Sequence, residues 1–172
     1  LKPNNKKILF LLPMKDIGTL KEQGFKGFVS FKKLMDDKSV VTKEPGVYIV
    51  LREAKSAPSF LEIGTGGFFK GKNPNVTIQE LKNNWIDDTQ ILYIGKATSL
   101  QRRLKQYIEF GEGKAVGHWG GRFIWQLKDS QELIVCWHTF ESEKVAKATE
   151  SSLIEKFKSE HQGKRPFANL RD

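Results

Sequence analysis

Three runs of alternating or continuous apolar residues predict strands. Val47-Tyr48-Ile49-Val50-Leu51 is β-branched and aromatic, and it follows the turn pair Pro45-Gly46. Ile91-Leu92-Tyr93-Ile94, closed by Gly95, predicts a second strand. Leu133–Phe140 predicts a long third, with Leu133, Val135, Trp137 and Thr139 on one face and Ile134, Cys136, His138 and Phe140 on the other. Phe123–Leu127 reads as a further short strand. Helical spacing appears where Leu100, Leu104, Tyr107 and Ile108 fall on one face, after Thr98 or Ser99 as N-cap and before Gly111. A last helix starts near Ser142, stops before Gly163, and carries Ala146, Leu153, Ile154 and Phe157 as its apolar stripe. Short helices are expected around Ser30–Met35 and at Thr77–Leu81.

This order predicts an α+β fold. Residues 1–45 read as an N-terminal accessory region packed on a core. Residues 52–90, with their glycine, proline and asparagine, read as an insertion between the first two strands. The 172 residues suit one domain, and 38% apolar residues exclude a disordered or collagenous chain. The longest apolar run, Ile8–Leu12, is far shorter than the ~18–20 residues of a membrane span. It also lacks a small-residue cleavage site, so no signal peptide is expected. Cys136 is the single cysteine and has no disulfide partner, so a reducing, cytoplasmic setting is expected. The chain opens on Leu1 rather than Met, which leaves open whether residues precede it.

Charge narrows the partners. There are 29 Lys+Arg against 20 Asp+Glu, a balance of 29 − 20 = +9, which favours a polyanion. Lys96, Arg102, Arg103 and Lys105 lie in a stretch without an acid from Thr89 to Ile108. Lys70 and Lys72 sit beside Phe68 and Phe69, offering charge and stacking on one loop. In His118-Trp119-Gly120-Gly121-Arg122 two glycines would let a backbone approach while His118 and Arg122 reach a phosphate or a base edge. Two nearer motifs fail. Gly66–Asn73 resembles a phosphate loop, but Asn73 stands where a magnesium-binding hydroxyl is needed and Pro74 follows. Glu112-Gly113-Lys114 has a nuclease-like Glu-x-Lys spacing, but it lies in a glycine turn rather than on a rigid strand.

The most informative residue is Glu150. At ~100° per residue it falls between Ala146 and Ile154, inside the apolar stripe. A carboxylate there costs several kcal/mol unless it is paired or bound to a cation. Two readings stay open: a structural ion pair with an arginine, or a metal ligand. Arg103 and Tyr107 lie one turn apart on the other long helix, and Lys96 follows Gly95 at a strand end. Carboxylate, arginine, lysine and tyrosine are what phosphodiester hydrolysis uses: a fixed metal, a cation for phosphate charge, and help for water to lose its proton.

These residues also resemble a family. Gly46-Val47-Tyr48 and Tyr93-Ile94-Gly95 look like the two halves of the GIY-YIG endonuclease signature. The run from Tyr93 through Lys96 and Arg103 to Tyr107 is similar to the nuclease domain of bacterial excision-repair endonucleases. Glu150-Ser-Ser-Leu-Ile resembles the segment with the family's metal-binding glutamate, and Arg165-Pro166-Phe-Ala-Asn169 resembles the closing segment. The resemblance runs over residues 46–172. It implies a three-stranded antiparallel sheet flanked by helices and a single-metal site using Mg²⁺ or Mn²⁺. It further implies that Tyr48, Tyr93, Lys96, Arg103, Tyr107, Glu150 and Asn169 serve catalysis, with Glu150 on the metal. DNA is the expected substrate, with Lys70, Lys72, Arg102, Lys105, His118 and Arg122 as candidate contacts. The signature departs as Gly-Val-Tyr, and Tyr93 lies 45 positions after Tyr48, so the pairing of their strands needs a structure. The rival readings are a binding module that kept the fold without catalysis and an RNA-directed protein. One such site cuts one strand, so double-strand cleavage would take a homodimer or two visits.

Overall fold

The computed structural model describes residues 13–171. The apolar run Ile8–Leu12 lies outside the described residues. Strands β1 (Lys26–Ser30), β2 (Gly46–Leu51), β3 (Ile91–Ala97) and β4 (Ile134–Thr139) form one sheet in the order β1-β4-β2-β3, every pair antiparallel. The expected sheet had three strands. The fourth, β1, comes from the N-terminal region and pairs with the outer edge of β4. It escapes a pattern reading because its residues are exposed or half-buried, and the ladder shifts between Gly27 and Val29 around Phe28 at φ 55°.

Five helices accompany the sheet: α1 (Ile17–Glu22), α2 (Phe31–Asp36), α3 (Ile78–Asn84), α4 (Leu100–Gly111) and α5 (Glu143–Glu160). The two long ones start on serine caps, Ser99 accepting from the Arg102 N–H and Ser142 from the Val145 N–H. Each such cap is worth ~1 kcal/mol. Their apolar faces lie on opposite sides of the sheet. On one side Val47, Ile49, Leu51, Ile94 and Cys136 meet Ala146, Leu153, Ile154 and Phe157 of α5. On the other, Tyr48, Val50, Tyr93, Val135 and Trp137 meet Leu100, Leu104 and Tyr107 of α4, with α2 and Trp125 beyond.

β2 and β3 pair despite the long connection between them, with Tyr48 opposite Gly95 and Val50 opposite Tyr93. The next partners are Leu51 and Ile91, so Leu92 is an extra residue on β3. This bulge explains why Leu92 and Tyr93, although adjacent, both join the core on the α4 side. Phe123–Leu127 is not a strand. Trp119–Gln126 is a 3-10 segment, and the residues from Phe123 through Leu127 are all buried, which an alternating strand with one wet face would not show. Leu127 keeps one bridge, to Phe60.

The free edge of β3 is covered by the chain's closing segment. The Ala168 N–H donates to Leu92 O at 2.8 Å. The Asn169 side chain then acts like a strand residue: its Oδ1 accepts from the Ile94 N–H and its Nδ2 donates to Ile94 O, both at 2.9 Å. An unpaired edge is thereby blunted on either side of Tyr93.

Candidate active site

Tyr48 and Tyr93 point from β2 and β3 to the α4 side of the sheet, and Tyr107 meets them from α4. The three ring centroids are 5.7–6.4 Å apart. Gly95 makes this possible. A Cβ on it would lie 2.5 Å from the Tyr48 ring carbon that bears the hydroxyl, so any side chain would expel the tyrosine.

The closest partner of Tyr48 is His118. Its Nε2 lies 2.7 Å from the Tyr48 hydroxyl, and its ring stacks on Tyr107 at 3.6 Å with 4° between planes. The expectation that His118 reaches DNA is therefore corrected: the residue is 0% exposed. The Gly-rich sequence around it serves packing. A Cβ at Gly121 would lie 2.5 Å from the Tyr107 hydroxyl, whose proton is donated to Gly121 O at 2.8 Å. Burial first, and then the Arg103 charge, push the imidazole well below its ordinary pKa of 6.5, so the ring is neutral. A neutral imidazole can accept the Tyr48 proton at Nε2; Nδ1 is buried without a partner. Burial raises Tyr48 well above the ordinary phenol value of 10.0, with Tyr93 adding to the rise and Arg103 opposing it. Tyr48 is thus a neutral phenol.

Arg103 is the electrostatic centre. Its Nη1 donates to Gly117 O at 2.7 Å and to Gln106 Oε1 at 3.2 Å, both uncharged acceptors. The guanidinium is positioned without being neutralised. A cleft of about 480 Å³ opens beside it, lined by Tyr48, Tyr93, Lys96, Arg102, Arg103 and Glu150 among others. Lys96 reaches Glu143 at 3.4 Å, but both side chains are substantially exposed, and such a pair is worth only ~0–1 kcal/mol.

Glu150 is half-buried. Its Oε2 is buried with no hydrogen-bond partner, and among the described residues it forms no ion pair. Burial raises its carboxyl above the ordinary 4.5, against the pull of Lys96, Arg103 and Lys147. The arginine pairing open at the sequence level is not what the structure contains. Glu150 lines the cleft, and a carboxylate there with an oxygen left without a partner suits a hard divalent cation that takes one protein carboxylate and fills its other positions with water and phosphate oxygens. Among the described residues there is no cluster of three or more His, Cys, Asp or Glu around a cation site, so Glu150 would be the principal protein ligand. Asn169 already uses both ends of its amide on the β3 backbone.

The other sequence candidates scatter. Arg102 is exposed at the rim of the first cleft. Arg122 lies in a second cleft, lined also by Tyr93 and Glu150. Lys105 pairs loosely with Glu109 at 3.8 Å. Lys70 and Lys72 sit at a 3-10 turn, exposed, with Lys70 over the Phe69 ring at 5.3 Å, and line neither cleft. His118 as the partner of Tyr48 is the residue that sequence reasoning missed in kind. The available signal was a histidine with no charged neighbour, set among glycines.

The fold and this cleft define an α+β protein with a tyrosine-, arginine- and glutamate-lined site. Comparison with protein-family models matches residues 80–165, half of the chain, to the GIY-YIG catalytic domain. The protein belongs to the GIY-YIG family, whose members are generally endonucleases and typically depend on divalent metal. The matched stretch contains Tyr93, Lys96, Arg103, Tyr107 and Glu150; Tyr48 and Asn169 fall outside it and join the site through strand pairing and the β3 edge. Searches of curated proteins and of solved structures return no match. Among the described residues no helix is long and apolar enough to cross a membrane.

Proposed function

We propose that the protein is a metal-dependent DNA endonuclease that hydrolyses phosphodiester bonds in the cleft between β3 and α4. The observation that carries this reading is that Arg103, held only by uncharged acceptors, and Glu150, which has one oxygen without a partner, line one cleft together with Tyr48, Tyr93 and Lys96. A scissile phosphate enters with a non-bridging oxygen on Arg103. The Tyr48 oxygen, its proton directed to His118, turns a lone pair to an attacking water. Tyr48 keeps its own proton on its hydrogen bond to His118 and orients the water, whose proton passes to solvent in the cleft as its oxygen bonds to phosphorus and the bond from phosphorus to the leaving oxygen breaks. Lys96 stabilises the charge left on the attacking oxygen. Charge then builds on phosphate, where Arg103 already waits and no reorganisation is needed. Tyr93 holds the phosphate in line, while Tyr107, buried with its hydroxyl on Gly121 O, steadies the His118 ring that partners Tyr48. Glu150 would hold the divalent cation, which supplies Lewis-acid stabilisation of the leaving oxygen. Arg102, Lys105, Lys70 and Lys72 extend the positive surface on which DNA lies.

The test is direct. Purified protein is incubated with supercoiled plasmid, linear and branched DNA, and RNA, with and without magnesium or manganese. Metal-dependent DNA nicking is expected. Binding without cleavage on every DNA substrate would favour a non-catalytic module, and cleavage of RNA alone would redirect the substrate class.

A further inference from the structure

The mechanism leaves a second cleft unused. It measures about 430 Å³ and shares Tyr93 and Glu150 with the first, so the two meet at the reacting centre. Its other walls include Trp119, Gly120, Arg122 and Arg171. Trp119 is half-buried, Gly120 is exposed, and a Cβ on Gly120 would meet nothing nearer than 4.0 Å, so a chain can pass close to the backbone there. Arg122 stacks on the Trp119 ring at 4.6 Å and on Phe123 at 5.4 Å, with its Nη1 donating to Trp119 O at 3.2 Å. This fixes the guanidinium plane, and among the described residues its charge has no ion-pair partner. Arg122 and Arg171 are close enough to feel each other as like charges; Glu80 attracts Arg122 from a distance without forming an ion pair. Two guanidinium groups with no ion pair among the described residues, beside an aromatic ring, suit a phosphate carrying a planar base.

The position of the cleft says which nucleotide. Tyr48 lines the first cleft and not the second, whereas Glu150 lines both. In-line displacement puts the attacking water and the departing oxygen on opposite sides of phosphorus. With water on the Tyr48 side, the departing oxygen leaves toward Glu150 and the second cleft.

We propose that the second cleft seats the nucleotide that carries the leaving oxygen, with its further phosphate on Arg122 and Arg171 and its base, drawn out of the duplex stack, on Trp119. This rests on the nuclease reading above, and it adds a preference for substrates with an unpaired nucleotide flanking the cut.

The test uses the full chain carrying Glu150→Gln, so that binding is read without cleavage. Affinity for a fluorescein-labelled single strand and for the same sequence as a blunt duplex is measured by anisotropy in metal-free buffer. Trp119→Ala should weaken single-strand binding about 5- to 100-fold and affect the duplex less, while Trp119→Phe, which keeps a ring, should stay within about threefold. Arg122→Gln and Arg171→Gln should each reduce the slope of log affinity against log salt by about 0.7 on the single strand. In the cleaving chain, Trp119→Ala should raise KM more than it lowers kcat. An unchanged affinity in Trp119→Ala, an equal loss in Trp119→Phe, or unchanged salt slopes in both arginine variants would overturn the second cleft while leaving the nuclease reading intact. If the native chain neither binds nor nicks DNA, the nuclease reading itself falls and this inference with it.

Discussion

Replacing Glu150 with glutamine changes one charge and almost no volume, and its consequences separate a metal ligand from a structural acid. The carboxyl is half-buried, one oxygen has no partner, and no cation pairs with it among the described residues. Removing a member of a buried ion pair would cost ~3–5 kcal/mol. No such pair exists here, so the metal-free variant should melt at or above the native temperature. The pH dependence has a definite sign. The native carboxyl binds its proton more tightly than the unfolded one, because burial raises it above 4.5. The native state therefore holds more protons through that window, and stability falls as pH rises from about 4.5 through the raised value. The glutamine variant lacks this decline, so the difference between the two melting curves should grow with pH and then level off. Saturating metal should reverse the order. At a concentration a hundred times Kd, a ligand that binds only the folded state adds ~2.7 kcal/mol. For a chain of this size, that is a rise of about 5–10 °C, present in the native protein and absent in the variant. Metal-dependent nicking should fall at least ~100-fold, since a lost Lewis acid removes several kcal/mol of transition-state stabilisation. The assays are differential scanning fluorimetry across pH, with and without magnesium, and plasmid nicking. A variant that cuts within about tenfold of native, or one that unfolds without metal, would refute the argument.

Arg103→Ala should reduce turnover ~100–1000-fold with a smaller change in affinity, because charge on its phosphate partner grows in the transition state; single-turnover kinetics would expose an ordinary backbone clamp if only affinity fell. His118→Gln keeps an acceptor for Tyr48 and should retain more nicking activity than His118→Ala, whereas equal losses would remove the hydrogen bond to Tyr48 from the mechanism. Native stability should fall as pH is lowered from about 6.5, because the unfolded imidazole takes up a proton that the buried ring refuses; urea titrations of the glutamine variant should lack that part of the decline. Lys70→Ala with Lys72→Ala should flatten the salt dependence of DNA affinity by about 1–2 in slope and leave cleavage at saturation unchanged, and an unchanged slope would take this loop out of the interface.

The elements that proved legible are those in which one periodicity governs both local and tertiary structure. β2 and β3 are near-continuous apolar runs buried on both faces, α4 and α5 each bury a face whose spacing is written in the chain, and the helices' serine caps sit where the pattern requires. β1 lacks that regularity. It is an edge strand with a shifted register, stabilised by its neighbour β4 rather than by its own alternation. The segment Trp119–Gln126 misleads for the opposite reason. Phe123-Ile-Trp-Gln-Leu has strand-like composition, but it packs against α4 and α2 and buries consecutive residues, with Trp125 against Tyr107 and Phe31. Composition carried no information about that environment.

The site divides along the same line. Residues that reach the cleft and stand out as charges on an otherwise apolar or acid-free surface could be named from the chain: Glu150 on its stripe, Arg103 and Lys96 near Gly95. A residue whose role follows from contact could not. His118 lies 70 positions from Tyr48, and only the folding of a glycine-rich segment against α4 brings its nitrogen to the hydroxyl. Its Nε2 sits behind Tyr48, on the buried side, while the cleft opens in front. In the mechanism proposed above, that arrangement has a neutral phenol orient water without standing as a phenolate, which its burial disfavours. A site relying on a phenolate would need cations packed around Tyr48 itself. Here the cationic Arg103 is shared among the three tyrosines, His118 and Glu150. It is fixed by uncharged carbonyl oxygens, so its charge remains directed at whatever anion enters the cleft.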